Sequence, residues 1–185
     1  KKKLFYGGSF ATKDGIENVL EAFKNLREDK YECELLLTGK INKSREQFVI
    51  NLIKFHPYNR DINYLGFLSD TEYYNVLNSC DIHLMIRNSS DFANTGFPFK
   101  LGEMLATGKP VIVSRLSELE LILINGINCL IVTPDKTDEI SDSIKYLIDN
   151  DEKACQIGVE GRLTSISLFD SSIIKNKFLD FIDEV

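Results

Sequence analysis

Tryptophan is absent from this 185-residue sequence, and proline, methionine and histidine number only four, two and two. The two histidines, His56 and His83, stand alone in the chain, so no metal-ligand cluster is visible and no metal or other cofactor is expected. The four cysteines, Cys33, Cys80, Cys129 and Cys155, are far apart and form no CxxC pair. Each lies in or beside an apolar stretch and reads as a small buried side chain, which fits a reducing, cytoplasmic setting. Long hydrophobic runs are missing too: the stretch 129–132 is far too short to span a bilayer, and no secretion signal is expected. Positive charge is in deficit. A net charge of -6 excludes an extended phosphate-neutralising face and hence a nucleic-acid partner. The run Lys1-Lys2-Lys3 reads as the solvated start of a strand.

What is present is 43% hydrophobic residues and 27% charged ones, ordinary for a globular protein and enough for a sizeable core. The length predicts one domain over 1–185. Short apolar runs at 3–7, 34–38, 62–65, 82–86, 110–114 and 129–133 predict strands. Between them, amphipathic patterns predict helices over 17–27 (Val19, Leu20, Phe23, Leu26 inward), 44–55 (Phe48, Leu52, Phe55) and 71–79 (Tyr73, Tyr74, Leu77). Further helices are predicted over 100–107, 117–124, 137–149, 152–167 and 171–183, with Thr137 and Ser171 as N-caps. Unbroken apolar strands alternating with helices imply right-handed βαβ units, hence an α/β, Rossmann-like, doubly wound six-stranded parallel sheet. A strand so near the first residue is expected to follow something else in an intact protein.

Three longer connections follow strands, at 7–15, 66–71 and 87–99, where ligands bind in doubly wound folds. The first, Gly7-Gly8-Ser9-Phe10-Ala11-Thr12-Lys13-Asp14-Gly15, matches neither GxGxxG nor GxxxxGK[ST], so no dinucleotide fingerprint or P-loop is supported. Its glycines permit close backbone approach and Lys13 can reach a phosphate, although a plain glycine turn beside an exposed lysine fits equally well. In the stretch TGFPFKLGEMLATGKPVIVS, at 95–114, Gly96 and Pro98 break the chain and Lys100-Leu101-Gly102-Glu103 opens a helix. Free N–H groups at such a start attract an anion. Glu103 leans back toward that start, where it either accepts two hydroxyl hydrogen bonds, as from a ribose, or merely complements the helix dipole.

The ordered segments GGS…KDG, INYLGFLSDTEYYNVLNSCDI, TGFPFKLGEMLATGKPVIVS and NGINCLIVTP resemble the C-terminal domain of family 4 retaining glycosyltransferases of GT-B fold, over residues 3 to 160. They look most like members with an FPxKLxE segment, common among enzymes that build bacterial surface polysaccharides. The resemblance implies a nucleotide-diphosphate sugar as donor, hexosyl transfer with retention and no bound metal. It places the phosphate-gripping lysine at Lys13, although Asp14 intervenes before Gly15. The arginine often found just after the glycine Gly8 is replaced by Ser9, so a cation is lacking there or supplied elsewhere, as by Lys100. The E-x7-E motif falls on Thr95 and Glu103. Glu103 would hold the ribose, while Thr95 stands where a carboxylate would face the donor sugar. Backbone N–H groups of Lys100, Leu101 and Gly102, after Gly96, Phe97 and Pro98, would cap the distal phosphate. Gly66, Phe67 and Leu68 would flank the base. The resemblance further implies an acceptor-binding domain that precedes this one and carries any peripheral membrane association. The final helix, 171–183, would pack toward it, leaving Ile173, Ile174, Phe178 and Phe181 as an apolar patch on the isolated and inactive chain.

Two alternatives share this nucleotide site: a degenerate binding module without catalysis, motivated by Ser9 and Thr95, and a sugar-nucleotide epimerase of the same fold. A receiver domain is disfavoured, because acidic residues should follow the first strand and Gly7-Gly8-Ser9 stand there instead.

Overall fold

Alternate residues of each central strand feed two separate cores, and this sets the layering of the molecule. The structure, a computed structural model, describes residues 1–90, 98–116, 119–175 and 182. Its strands are β1 (Lys2–Gly7), β2 (Cys33–Thr38), β3 (Ile62–Tyr64), β4 (Ile82–Met85), β5 (Val111–Ser114) and β6 (Leu130–Val132). All pair in parallel, in the order β3-β2-β1-β4-β5-β6. The helices are α1 (Ile16–Glu28), α2 (Glu46–Lys54), α3 (Asp70–Ser79), α4 (Lys100–Ala106), α5 (Thr137–Asp149) and α6 (Asp151–Phe169).

Leu4 and Tyr6 of β1, with Leu35, Leu37 and Leu84, face a core completed by Val19, Leu20, Phe23 and Leu26 of α1 and Ile140, Ile144 and Leu147 of α5. Phe5, pointing the other way, joins Val111 and Val113 in a second core under Leu77 of α3 and Leu101, Met104 and Leu105 of α4. A sheet covered on both faces has little use for polar alternation, which is why its strands read as apolar runs. Helix α6 approaches closely enough that a Cβ on Gly158 would lie 2.1 Å from the Gly108 carbonyl oxygen. Its Ser165 hydroxyl donates to the Gly102 carbonyl at 2.9 Å.

Several expectations need correction. Helix α2 buries Val49, with Leu52 and Ile53 against the core, and leaves Phe48 and Phe55 48% and 73% exposed. The i, i+3, i+4 stripe from Val49 is the one that faces the sheet, and Phe48 instead lies beneath the Arg45 guanidinium. Of 117–124, the described residues form only a 3-10 turn, Leu119–Leu121. There Asn128 binds both the Ile124 N–H and the Ile122 carbonyl and closes the segment. Thr137 is the first helical residue, with Lys136 as N-cap. Asp170, not Ser171, accepts the Ser172 N–H, at 2.8 Å, where the helical residues 171–175 begin. Ile174 is exposed as expected, whereas Phe178 and Phe181 lie outside the described residues. Cys155 is exposed, unlike the buried Cys33, Cys80 and Cys129. Each N-terminal lysine meets an acid: Lys1 with Asp61, Lys2 with Asp151 and Lys3 with Glu34.

His83 sits at the centre of the sheet with no exposed surface, its Nε2 3.1 Å from the Thr107 hydroxyl and its ring edge-on to Phe5. Burial, aided by Lys109, pulls its pKa down to about 4 from an ordinary 6.5. The folded state therefore resists protonation while the unfolded chain takes the proton, so stability is full above pH 6.5 and falls as pH drops toward 4. About 3 kcal/mol is lost across that window, at most about 1.4 kcal/mol per pH unit. Urea unfolding of wild type and His83→Gln at pH 7 and pH 4.5 checks this. The stability gap between them should shift toward the variant in acid, and an unchanged gap would remove the assignment.

Candidate functional site

The chain runs outward from β1 to β3 and then jumps back to β4, so the connections leaving the paired strands β1 and β4 diverge at the topological switch point, where doubly wound folds open a crevice. The loop after β1 is held rigidly there. Gly8 donates its N–H to the Thr38 carbonyl at 3.0 Å. The Asp14 carboxylate accepts from the Ser9 hydroxyl at 2.7 Å and from the Ala11 N–H at 3.0 Å. Phe10 takes a left-handed φ of 53° and is fully buried, edge-on to Tyr64 and tilted against Tyr6. Burial of that ring offsets the cost of the strained backbone beneath the loop.

The exit of β4 is tied to this same loop. Gly15 donates to the Ile86 carbonyl, Asn88 donates to the Lys13 carbonyl at 3.2 Å, and the Asn88 amide bonds the Thr12 carbonyl. Asp14 and Arg87 face each other across an antiparallel bridge. The Arg87 backbone N–H and carbonyl are both bonded by the Ser114 hydroxyl, each at 2.9 Å. These bonds bring Lys13 and Arg87 to one wall of a cleft of about 590 Å³, with Lys100 from the start of α4 also lining it. Burial lowers the Lys100 pKa, while Glu103 and Asp14 pull it back up. The loops beyond β2 and β3 complete the cleft. Gly39 donates to the Gly66 carbonyl at 2.9 Å, as does the Thr38 hydroxyl, and this sets the 80% exposed Phe67 on the rim.

Gly8, Ser9, Lys13, Phe67, Pro98 and Lys100 thus share one cleft. Gly102 and Glu103 line a second cavity of about 900 Å³ between α3, α4 and α6, and Phe99 lines both. Gly66 shapes the rim through its carbonyl, whereas Leu68, half-buried, lines neither space. Leu101 is fully buried and its N–H donates to the Pro98 carbonyl at 2.8 Å. Thr95, Gly96 and Phe97 lie outside the described residues. Sequence reasoning missed Arg87 and Tyr73, although a charged residue directly after the apolar run at 82–86 was a signal that a central strand ends in something functional. Tyr73 donates its hydroxyl to the Glu103 carboxylate at 2.9 Å. Among the described residues, no group of three or more His, Cys, Asp or Glu is placed to hold a metal ion. No described helix is long and apolar enough to cross a membrane.

A six-stranded parallel sheet with a cation-lined cleft at its switch point is a Rossmann-like α/β unit. The chain belongs to the glycosyl transferases group 1, whose family model matches residues 1–164. It is 28% identical over 155 residues to the uncharacterised glycosyltransferase MJ1178 of Methanocaldococcus jannaschii, covering 84% of this chain and 40% of that protein. Among solved structures, Anabaena HepE in complex with UDP and glucose superposes with a TM-score of 0.86 at 16% identity, over 99% of this chain and 48% of HepE. The C-terminal domain of the group 1 glycosyl transferase LpcC from Francisella tularensis gives 0.78 at 19% identity, over 92% of this chain and 87% of that domain. The chain spans about two fifths of the length of MJ1178 and about half that of HepE.

Proposed function

We propose that this chain is the donor-binding, C-terminal half of a family 4 retaining glycosyltransferase and that it binds a nucleoside-diphosphate sugar. The observation that carries this reading is the cleft at the switch point, where Lys13, Arg87 and Lys100 meet beside a cavity lined by Glu103. In this reading the diphosphate lies among the three cations, the ribose hydroxyls reach Glu103 in the adjoining cavity, and the base lies along Gly66 and Phe67. The UDP held by HepE and the likeness to the LpcC C-terminal domain support this assignment.

During transfer, the bond from the anomeric carbon to the diphosphate oxygen breaks, a bond to the acceptor hydroxyl oxygen forms on the same face, and the hydroxyl proton passes to the departing diphosphate. Negative charge grows on the departing diphosphate. Preorganised cations in a cleft partly shielded from water stabilise that charge best where it develops, and this reading asks the same of Lys13, Arg87 and Lys100 in place of a metal. The acceptor site belongs to another part of the protein, which also makes any membrane contact. The chain alone should turn over no acceptor. Its proposed setting is cytoplasmic, in the assembly of a polysaccharide.

The test is thermal unfolding with UDP, GDP, ADP and CMP. A ligand at 100-fold excess over Kd adds about 2.7 kcal/mol. For a chain of this size that is a rise of roughly 5–10 °C. One diphosphate is expected to produce it and Glu103→Ala to lose it. No rise with any of them would sink the reading. The alternative of a binding module without chemistry is favoured by the Ser9 hydroxyl, which is committed to Asp14 and carries no charge to the cleft. A large gain in turnover of the full-length protein on Thr95→Glu would support that alternative.

A further inference from the structure

Lys100 and Glu103 stand three residues apart on α4, the spacing at which opposite charges ordinarily pair along a helix. Among the described residues they make no ion pair with each other. Tyr73 of α3 contacts both of them. Its ring lies 5.7 Å from the Lys100 ammonium, measured to the ring centroid, and its hydroxyl donates to Glu103 Oε2 at 2.9 Å. One side chain thus engages the cation through its π face and the anion through its O–H.

Tyr73 is itself held firmly. Phe5, fully buried at the centre of β1, packs edge-on against it at 5.9 Å, and Tyr74 does so at 5.3 Å. A reciprocal cap between Ser69 and Glu72 fixes the first turn of α3 just before it. Burial and the Glu103 charge push the Tyr73 hydroxyl well above its ordinary pKa, so it remains a donor throughout the neutral range. Tyr74 lines the same cavity as Glu103. A carboxylate can accept about four hydrogen bonds, and Tyr73 uses one of them.

We propose that Tyr73 is a positioning residue that keeps Lys100 and Glu103 apart, reserving the cation for the phosphates and the carboxylate for the ribose hydroxyls. This inference rests on the donor-site reading above. A glutamate collapsed onto Lys100 would have to break an ion pair before receiving the ribose. Held by Tyr73, it meets the ligand in one geometry, and the ordering cost is met before binding.

The test measures the affinities of UDP, UMP and 2′,3′-dideoxy-UDP by titration calorimetry for wild type, Tyr73→Phe and Tyr73→Ala. Wild type should prefer UDP to the dideoxy compound by about tenfold or more, because hydrogen bonds to a charged group are lost. Tyr73→Phe keeps the ring and so the preference for UDP over UMP, while its preference for UDP over dideoxy-UDP should fall at least about threefold. Tyr73→Ala removes both contacts, and both preferences should fall together. A Tyr73→Phe protein with the wild-type preference for the ribose would overturn the proposal, making the bond a fastener between two helices. A wild type that binds neither these three nor the matching guanosine and adenosine compounds, or does not distinguish the diphosphate from its dideoxy form, would overturn the donor-site reading and this inference with it. Effects confined to the variants separate the two.

Discussion

Replacing Lys13 and Arg87 together by glutamine is expected to lower the affinity for UDP at least about 100-fold and to leave the affinity for uridine unchanged. Hydrogen bonds from a cation to a phosphate contribute about 1.5–3 kcal/mol each, so the loss of two reaches that figure even if they are not fully additive. The backbone makes the pair a unit. The exit of β4 is bonded to the first loop through Gly15, Lys13 and Thr12, so the two cations move together if they move at all. Both Ser114 contacts to Arg87 go to its backbone, and glutamine preserves them. Urea unfolding of the unliganded double variant, read beside its affinity for uridine, separates a binding defect from a folding one. Affinity for UDP in the wild type should weaken as salt rises, and that dependence should flatten in the double variant. Calorimetry at low and moderate salt measures both. A double variant that binds UDP within about threefold of wild type would place the phosphates elsewhere.

Periodicity found all six strands with every end within one residue, because the central strands are buried on both faces and read as unbroken apolar runs. Helix α1 was equally legible, since its Val19, Leu20, Phe23 and Leu26 stripe is unambiguous. Helix α2 was not. It has apolar residues at both 48–49 and 52–53, and a nine-residue helix can turn either stripe inward. Which one wins depends on the neighbouring elements, information that lies outside the local sequence. The turn at 119–121 failed for a similar reason: Asn128, several residues further on, supplies the bonds that would have continued a helix.

The site divides in the same way. The positions of Lys13 in the loop after β1 and of Lys100 and Glu103 at the start of α4 were legible because glycine and proline mark where strands stop and helices start. Asp14 looked like an interruption between Lys13 and Gly15, and its carboxylate turns out to bind Ser9 and Ala11 and set the loop's shape. Arg87 and Tyr73 were invisible as partners of these residues. Arg87 meets Lys13 only after the sheet places β4 beside β1, and Tyr73 meets Glu103 across 30 residues of sequence. Contacts across the sheet's switch point follow from topology, so motif spacing could locate the cleft without naming all of its walls.

Topology also decides where a single methyl group is intolerable. Gly39→Ala is expected to destabilise the chain by at least about 3 kcal/mol and to abolish the thermal response to UDP. Gly39 has a φ of +138°, which disfavours any side chain. An added Cβ would also lie only 1.7 Å from the Gly8 carbonyl oxygen. Something must shift, and that something is backbone in the very loop that carries Ser9 and Lys13. The tight contact exists because the Gly8 N–H bonds the Thr38 carbonyl while the Gly39 N–H bonds the Gly66 carbonyl, so the loops after β1, β2 and β3 converge. Gly66→Ala is the control. Its φ is +71° but a Cβ there meets nothing within 4 Å, so only the backbone strain remains, about 1 kcal/mol. Urea unfolding of both variants, followed by thermal shift with UDP, separates strain from collision. If Gly39→Ala cost no more than Gly66→Ala, the convergence of the three loops would not be what holds the cleft in shape. If it cost more but left the response to UDP intact, the loop after β1 would be independent of its neighbours.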